Sequence, residues 1–251
     1  MEKIGDFLGN ELPGPPILVG GTGGSGTRLV AGLLQKLGVW MGNCVNGAGD
    51  ALAFVPLYDL FVNQYFESGE VDPAAFELQL LNAIRAHLRG ERPALWGWKN
   101  PRVVYLLPLI DRLVPGVKFV HVIRHGVDMA LSSNQNQVEK HGRAVLGAAA
   151  QGLPPPIRSA LLWKVVNNAT ADYGEKNMPG RYFRVRYEDL CADPAGAMTP
   201  VAHALGLDVA AGGWSGEIQP ADSARPRPGE EMLAAIRRHL QESLERFGYQ
   251  C

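Results

Sequence analysis

A short apolar run meets a glycine cluster near the start of the chain, and this junction constrains the fold more than any other feature. Pro15-Pro16 precede Ile17-Leu18-Val19-Gly20, and residues 20–28 read Gly-Gly-Thr-Gly-Gly-Ser-Gly-Thr-Arg, with five glycines among the nine. Leu29, Val30, Leu33, Leu34 and Leu37 then recur at helical spacing as far as Gly38. An apolar run bounded by turn residues reads as a buried strand, and the later period reads as a helix that glycine can end. The unit is therefore strand, glycine loop, helix. Without a Cβ, glycine lets successive backbone N–H groups turn onto an anion, and the helix that follows adds its positive end. The hydroxyls of Ser25 and Thr27 add donors. Gly23, Gly24, Ser25, Gly26, Thr27 and Arg28 are the candidate phosphate cradle.

The rest of the sequence alternates strand and helix signals. Helices are expected over 50–67 and 73–89, the second starting from an Asp72-Pro73 cap. A short strand is expected over 95–98, a helix over 103–113 and a strong strand over 118–123. A helix over 126–138 follows directly. Residues 142–156, rich in Gly, Ala and Pro, read as a loop or lid. A helix over 157–177, a strand over 182–186 and helices near 195–206 and 229–246 complete the chain, with 212–228 read as a loop. This alternation predicts a three-layer α/β/α fold with a central parallel sheet; the glycine loop after its first strand makes a P-loop-like nucleotide-binding fold the expectation. Ligands in such folds bind at the carboxyl ends of the strands. With 251 residues and no evident linker, one domain spanning 1–251 is expected.

Composition narrows the function classes. Hydrophobic residues make up 46% of the chain and charged ones 20%, with a net charge of −1. A broad nucleic-acid surface is not expected, though a local basic pocket is compatible with that balance. The three cysteines, Cys44, Cys191 and Cys251, match no zinc spacing and read as reduced thiols. The first residues show no apolar run of signal-peptide type, and no later stretch is long and apolar enough to span a bilayer. The expectation is a cytoplasmic protein with no membrane partner; oligomeric state is unreadable.

A Walker A loop would place lysine after Gly26, but Thr27 stands there. An NTPase would also place a magnesium-binding Asp at the end of a strand such as 118–123. Here Ile123 is followed by Arg124, with Asp128 and Ser132 at successive four-residue steps. The guanidinium fork of arginine suits phosphate. Two phosphate sites without a metal ion are therefore expected, although Arg124 alone is equally readable as an ion pair with Asp128.

These segments resemble the PAPS-dependent sulfotransferases (PAPS, 3′-phosphoadenosine-5′-phosphosulfate), including the bacterial and heparan-type O-sulfotransferase relatives. Ile17 to Val30, with Ser25-Gly26-Thr27, resembles their 5′-phosphosulfate loop. Arg124 and Ser132 resemble their 3′-phosphate site, with Asp128 between. Trp98-Lys99-Asn100-Pro101-Arg102 resembles the Lys-x-Pro segment whose lysine lies in the active site. Arg184 to Leu190, including Tyr187, resembles the Arg-Tyr-Glu-Asp-Leu strand end near the nucleotide. The resemblance runs from about residue 16 to 190. It implies sulfuryl transfer from PAPS, with PAP (3′-phosphoadenosine-5′-phosphate) as product, to a hydroxyl or amine of a small-molecule acceptor, without a metal. It implies Lys99 and Arg28 as charge-stabilising catalytic residues and Asp50 as general base. Asp50 is equally readable as a helix cap, and His125 is another candidate base; His141 and Glu139 read as solvated. Trp163 and Tyr187 are candidate adenine contacts or core residues. Phe54, Leu57, Tyr58 and Phe61 suggest an apolar acceptor pocket or simply the inner face of a helix.

The sequence departs from that family twice. The basic residue usual before Ser-Gly-Thr is Gly24, and the C-terminal Arg-Lys-Gly segment is absent, with Arg225 and Arg227 as candidate substitutes. Two alternatives follow: a kinase or nucleotide hydrolase with a degenerate Walker A loop, and a nucleotide-binding module without catalysis.

Overall fold

The four strands form one parallel sheet in the order β2-β1-β3-β4. They are β1 (Ile17–Gly20), β2 (Gly97–Lys99), β3 (Lys118–Ile123) and β4 (Tyr182–Arg186) in a computed structural model that describes residues 3–209 and 228–250. The chain steps from β1 to β2 on one side, then crosses to β3 on the other. The crevice beside β1 is thus a topological switch point, where such sheets bind ligands. Register pairs Val19 with Lys99, Gly20 with His121, and Ile123 with Arg186. Each of the four segments singled out from the sequence lies at a strand's carboxyl end, along one edge of the sheet.

The helices are α1 (Ile4–Glu11), α2 (Thr27–Lys36), α3 (Val55–Ser68), α4 (Pro73–Leu88), α5 (Val103–Leu113), α6 (Gly126–Ala130), α7 (Asn136–Leu146), α8 (Pro155–Asn177), α9 (Tyr187–Ala192), α10 (Pro194–Leu205) and α11 (Glu230–Arg246). Strand side chains feed separate cores on the two faces. Leu18 and Phe119 pack with α3, α4, α5 and α8, while Val19, Val120, Val122 and Val185 pack with α2 and α10. Burial on both faces explains why these strands read as continuous apolar runs rather than alternating ones. A third cluster joins Ile123, Met129 and Trp163 to Leu240, Leu244, Phe247 and Tyr249, and so docks α11 and the C-terminal turn beside the end of β3.

Several expectations need correction. The helix expected over 126–138 is two helices, α6 and α7, broken at 131–135. Polar side chains there satisfy the backbone locally: Ser132 Oγ accepts from Asn134 N at 3.2 Å, and Gln135 Nε2 donates to the Ser132 carbonyl. Such bonds compete with helix continuation. The loop expected over 142–156 begins as the last turns of α7 and continues as a 3₁₀ turn, Ala148–Gly152. Residues 50–54 precede α3 as a strap and a 3₁₀ turn, and the strand expected over 95–98 pairs at Gly97–Lys99 instead. Helices α1 and α9 add to the expected elements. The Asp72 cap forms as expected, accepting from Ala74 N at 2.9 Å and Ala75 N at 3.3 Å.

Candidate active site

The glycine loop is held between β3 and α9 by contacts only glycine permits. A Cβ on Gly21 would run into the Val122 carbonyl, and one on Gly26 into the Tyr187 ring. Gly24 and Gly26 also take φ of 94° and 95°, a left-handed region unfavourable for residues with a side chain. Gly21 N donates to the Pro101 carbonyl at 3.2 Å, tying the loop to the segment after β2. Helix α2 starts at Thr27 with no side chain capping its first turn and no acidic residue in it. Its first N–H groups are therefore available to an anion. Ser25 Oγ and Thr22 Oγ1 are buried without a hydrogen-bond partner. Buried hydroxyls are normally satisfied, so the loop has the donor surplus of a site whose partner is a ligand.

Lys99, at the end of β2, is 2% exposed. Its Nζ donates to Asp50 Oδ1 at 2.5 Å and to the Ala48 carbonyl at 2.7 Å. Burial pushes the ammonium pKa down and nearby Arg28 adds to this, while Asp50 works against both. A lysine has three protons, so one remains for another oxygen. Asp50 itself is held by a closed strap. Asn46 Oδ1 accepts from Ala48 N and Asp50 N, both at 2.9 Å, and Asn46 Nδ2 donates to Asp50 Oδ2 at 3.0 Å. Asp50 caps no helix: α3 begins at Val55 with Phe54 at its cap position.

At the other end of the site, Arg124 lies 6% exposed, its guanidinium 4.5 Å from the Tyr187 ring centroid. One nitrogen reaches the Gly24 carbonyl at 3.5 Å, and Nε is buried with no hydrogen-bond partner. The Asp128 carboxylate is 3.9 Å away and half exposed, a loose ion pair that leaves the fork largely uncommitted. Ser132, in the break between α6 and α7, sits against Gly24: a Cβ there would lie 3.7 Å from Ser132 Oγ. The glycine loop and the strand-end arginine are thus neighbours. A cleft of about 320 Å³ runs between them, lined by Gly23, Gly24, Thr27, Arg28, Lys99 and Arg124 among others.

Pro101 of the Lys-x-Pro segment also lines this cleft, as does Asn134, to which no sequence motif points. His125 does not reach it. Its Nδ1 accepts from Val127 N at 3.2 Å, capping α6, so the proton is on Nε2, which faces the Gln250 carbonyl at 3.3 Å. His141, read as solvated, is buried. It bonds Asn63 Oδ1 at 2.7 Å, and burial with two neighbouring cations pushes its pKa down to about 4. Trp163 is 1% exposed and donates to the Arg124 carbonyl at 3.0 Å, a core role. Phe54, Leu57, Tyr58 and Phe61 are buried in the core, and none of them lines the cleft. Arg225 and Arg227 lie outside the described residues. Among the described residues, no cluster of His, Cys, Asp or Glu is arranged to hold a metal, and no helix is long and apolar enough to cross a membrane.

A parallel α/β/α sheet with an anion cradle after its first strand defines a fold of the P-loop-like type. The chain belongs to the sulfotransferase family, whose sequence profile matches residues 15–211. Solved structures share the fold at low identity. The sulfotransferase domain from the olefin synthase of Synechococcus PCC 7002 matches with a TM-score of 0.57 at 16% identity, covering 96% of this chain and 97% of that one. Sulfotransferase STF9 from Mycobacterium avium matches with a TM-score of 0.60 at 12% identity, covering 95% and 78%. A sulfotransferase from Alicyclobacillus acidocaldarius gives 0.51 at 13%, covering 95% and 97%. No curated protein matches the sequence.

Proposed function

We propose that this sulfotransferase uses PAPS as donor and sulfates a hydroxyl or amine of a small-molecule acceptor. One observation carries the reading: a single cleft has a glycine cradle with unpartnered donors beside Lys99 and Arg28, and an Arg124 fork, loosely held and with an unpartnered Nε, beside Ser132. PAPS supplies an activated sulfuryl group on its 5′-phosphate and a second phosphate on the 3′ position. The residues fit both. N–H groups of Gly23, Gly24, Gly26 and Thr27 with the Ser25 and Thr27 hydroxyls would hold the 5′ end, and Arg124 with Ser132 the 3′-phosphate. Tyr187 serves that site by carrying the Arg124 guanidinium.

Lys99 and Arg28 then stand where negative charge grows as the sulfuryl group departs, and preorganised cations there lower the barrier. Asp50 is the carboxylate in reach of an acceptor proton. Two of its lone pairs are engaged by Lys99 and Asn46, which leaves others open. The kinase or hydrolase alternative places a metal-binding carboxylate at the end of β3, where Arg124 stands.

Thermal stabilisation tests the reading. PAP at one hundred times its dissociation constant adds about 2.7 kcal/mol and raises the melting temperature. Stabilisation by PAP without Mg²⁺, and sulfation of an acceptor library from labelled PAPS, is the expected result. Response to Mg-ATP alone would overturn it, and PAP binding without any transfer would favour a non-catalytic nucleotide-binding module.

A further inference from the structure

We propose that Glu188 and Tyr249 are positioning residues for Arg124. In this arrangement the C-terminal turn latches the site that distinguishes a 3′,5′-bisphosphate from a 5′-monophosphate. This rests on the reading that Arg124 and Ser132 take the 3′-phosphate.

Both oxygens of the Glu188 carboxylate are committed. Oε1 accepts from His125 N at 2.8 Å, and Oε2 accepts from the Tyr249 hydroxyl at 2.9 Å. The same hydroxyl lies 3.2 Å from the Ile123 carbonyl. One carboxylate–phenol pair therefore touches the backbone on both sides of Arg124. The Arg124 carbonyl is fixed as well, by Trp163 Nε1 at 3.0 Å. With its own carbonyl and the His125 N–H bonded, and the Ile123 carbonyl against the same phenol, the direction in which Arg124 leaves the strand is set. The residue before Glu188 completes the device, since Tyr187 carries the guanidinium on its ring. Consecutive residues at the start of α9 thus fix the arginine's backbone and its side chain.

The C-terminal turn is bound into this arrangement by more than the phenol. The His125 and Tyr249 rings meet edge to face with centroids 5.0 Å apart, and the Arg186 guanidinium lies 4.3 Å from the Tyr249 centroid. His125 Nε2 faces the Gln250 carbonyl. None of Glu188, Tyr249 and His125 lines the cleft. Their contacts lead to the backbone around Arg124, so an effect carried along them falls on the group Arg124 reads.

The experiment compares calorimetric affinities for PAP and adenosine 5′-monophosphate in the full chain and its variants. The wild type is expected to prefer PAP, and Arg124→Ala to lose most of that preference. Tyr249→Phe deletes one hydroxyl, keeps the ring in its cluster, and is expected to weaken PAP by about tenfold while leaving the monophosphate unchanged. Glu188→Ala is expected to go further, and Glu188→Gln, which keeps an acceptor for His125 N, to recover part of the loss. Folded variants that keep the wild-type ratio of the two affinities, or that weaken both ligands equally, would overturn the positioning role. A wild type that binds PAP no better than the monophosphate would instead sink the 3′-phosphate assignment on which it rests.

Discussion

Lys99 Nζ and Asp50 Oδ1 lie 2.5 Å apart although they are 49 positions apart in sequence. The pair joins the end of β2 to the strap 46–50 and sits on the wall of the cleft. Deleting one partner leaves the other buried or half-buried without its counter-charge, which costs more than losing an exposed ion pair. Lys99→Ala is expected to reduce turnover by about a hundredfold or more, the range seen when one preorganised donor to a developing charge is removed. PAP affinity should change far less. Single-turnover kinetics with PAP binding measured in parallel checks this; wild-type turnover in Lys99→Ala would remove the residue from the mechanism.

Asp50→Asn separates two roles for the carboxylate. The amide keeps an oxygen for Lys99 but is not a base. As general base, Asp50 is worth about 10²–10⁴-fold in rate. The expected outcome is a loss of that order in kcat, with the Lys99 contact intact and PAP binding retained. A variant with nearly full kcat would make Asp50 a counter-ion for Lys99 and place the base elsewhere.

Gly26→Ala tests the fit of the loop against Tyr187. The added methyl would enter the Tyr187 ring, and φ of 95° disfavours any side chain there. Because that ring carries Arg124, the displacement reaches the far end of the cleft. Loss of PAP-dependent thermal stabilisation is expected, together with a lower melting temperature without ligand. Unchanged PAP binding would show that the loop and Tyr187 are not mechanically joined.

What could be read from the sequence was local. The strand–loop–helix unit, Lys99 after Trp98 and Arg124 after Ile123 are each written within a few residues, and each falls where expected at a strand end. What escaped depends on contacts between distant segments. The Lys99–Asp50 pair and the bonds from Glu188 to His125 and Tyr249 have no signature in spacing. Phe54, Leu57, Tyr58 and Phe61 recur at helical spacing, but periodicity does not say whether that face meets a ligand or a core; here it meets the core. The break at 131–135 was legible in principle, since Ser132, Ser133 and Asn134 in a row favour local backbone bonds over helix. Residues 210–227, which include Arg225 and Arg227, lie outside the described structure.

Gly24 occupies the position where the resembling enzymes carry a basic residue, and its φ of 94° gives a steric reason why restoring that residue should not help. Gly24→Lys would force a side chain into the left-handed region at about 1–2 kcal/mol. For a protein of this size that lowers the melting temperature by roughly 2–8 °C. The expected outcome is a less stable enzyme with no gain in turnover, as measured by melting and sulfuryl-transfer assays. A faster enzyme at unchanged melting temperature would show that the loop adapts and that Lys99 and Arg28 leave charge unneutralised.

Stability should fall on mild acidification because of a histidine in the sheet. His121 is fully buried on β3 between Tyr182 and Asn167. Asn167 Nδ2 donates to the Trp163 carbonyl at 2.7 Å, so its Oδ1 must accept from His121 Nε2–H, and Tyr182 donates its hydroxyl proton to the bare Nδ1. That network suits a neutral ring. Burial pushes its pKa down to about 3, the hydrogen bond to Asn167 opposes this, and Arg184 and Arg246 add to the depression. The unfolded chain protonates its histidine near pH 6.5, so between that pH and about 3 it binds a proton the native state refuses. The neutral ring's contribution is therefore fully present above pH 6.5. It is lost as pH falls, at up to about 1.4 kcal/mol per pH unit for each such histidine. His141, depressed to about 4, adds to the same window. Urea unfolding of the wild type between pH 7 and 4.5 is expected to show this slope, and His121→Phe to show a shallower one whatever its stability at pH 7. Equal slopes in the two proteins would mean that His121 takes up its proton in the folded state, and that the network from Tyr182 through Asn167 to Trp163 tolerates the charge.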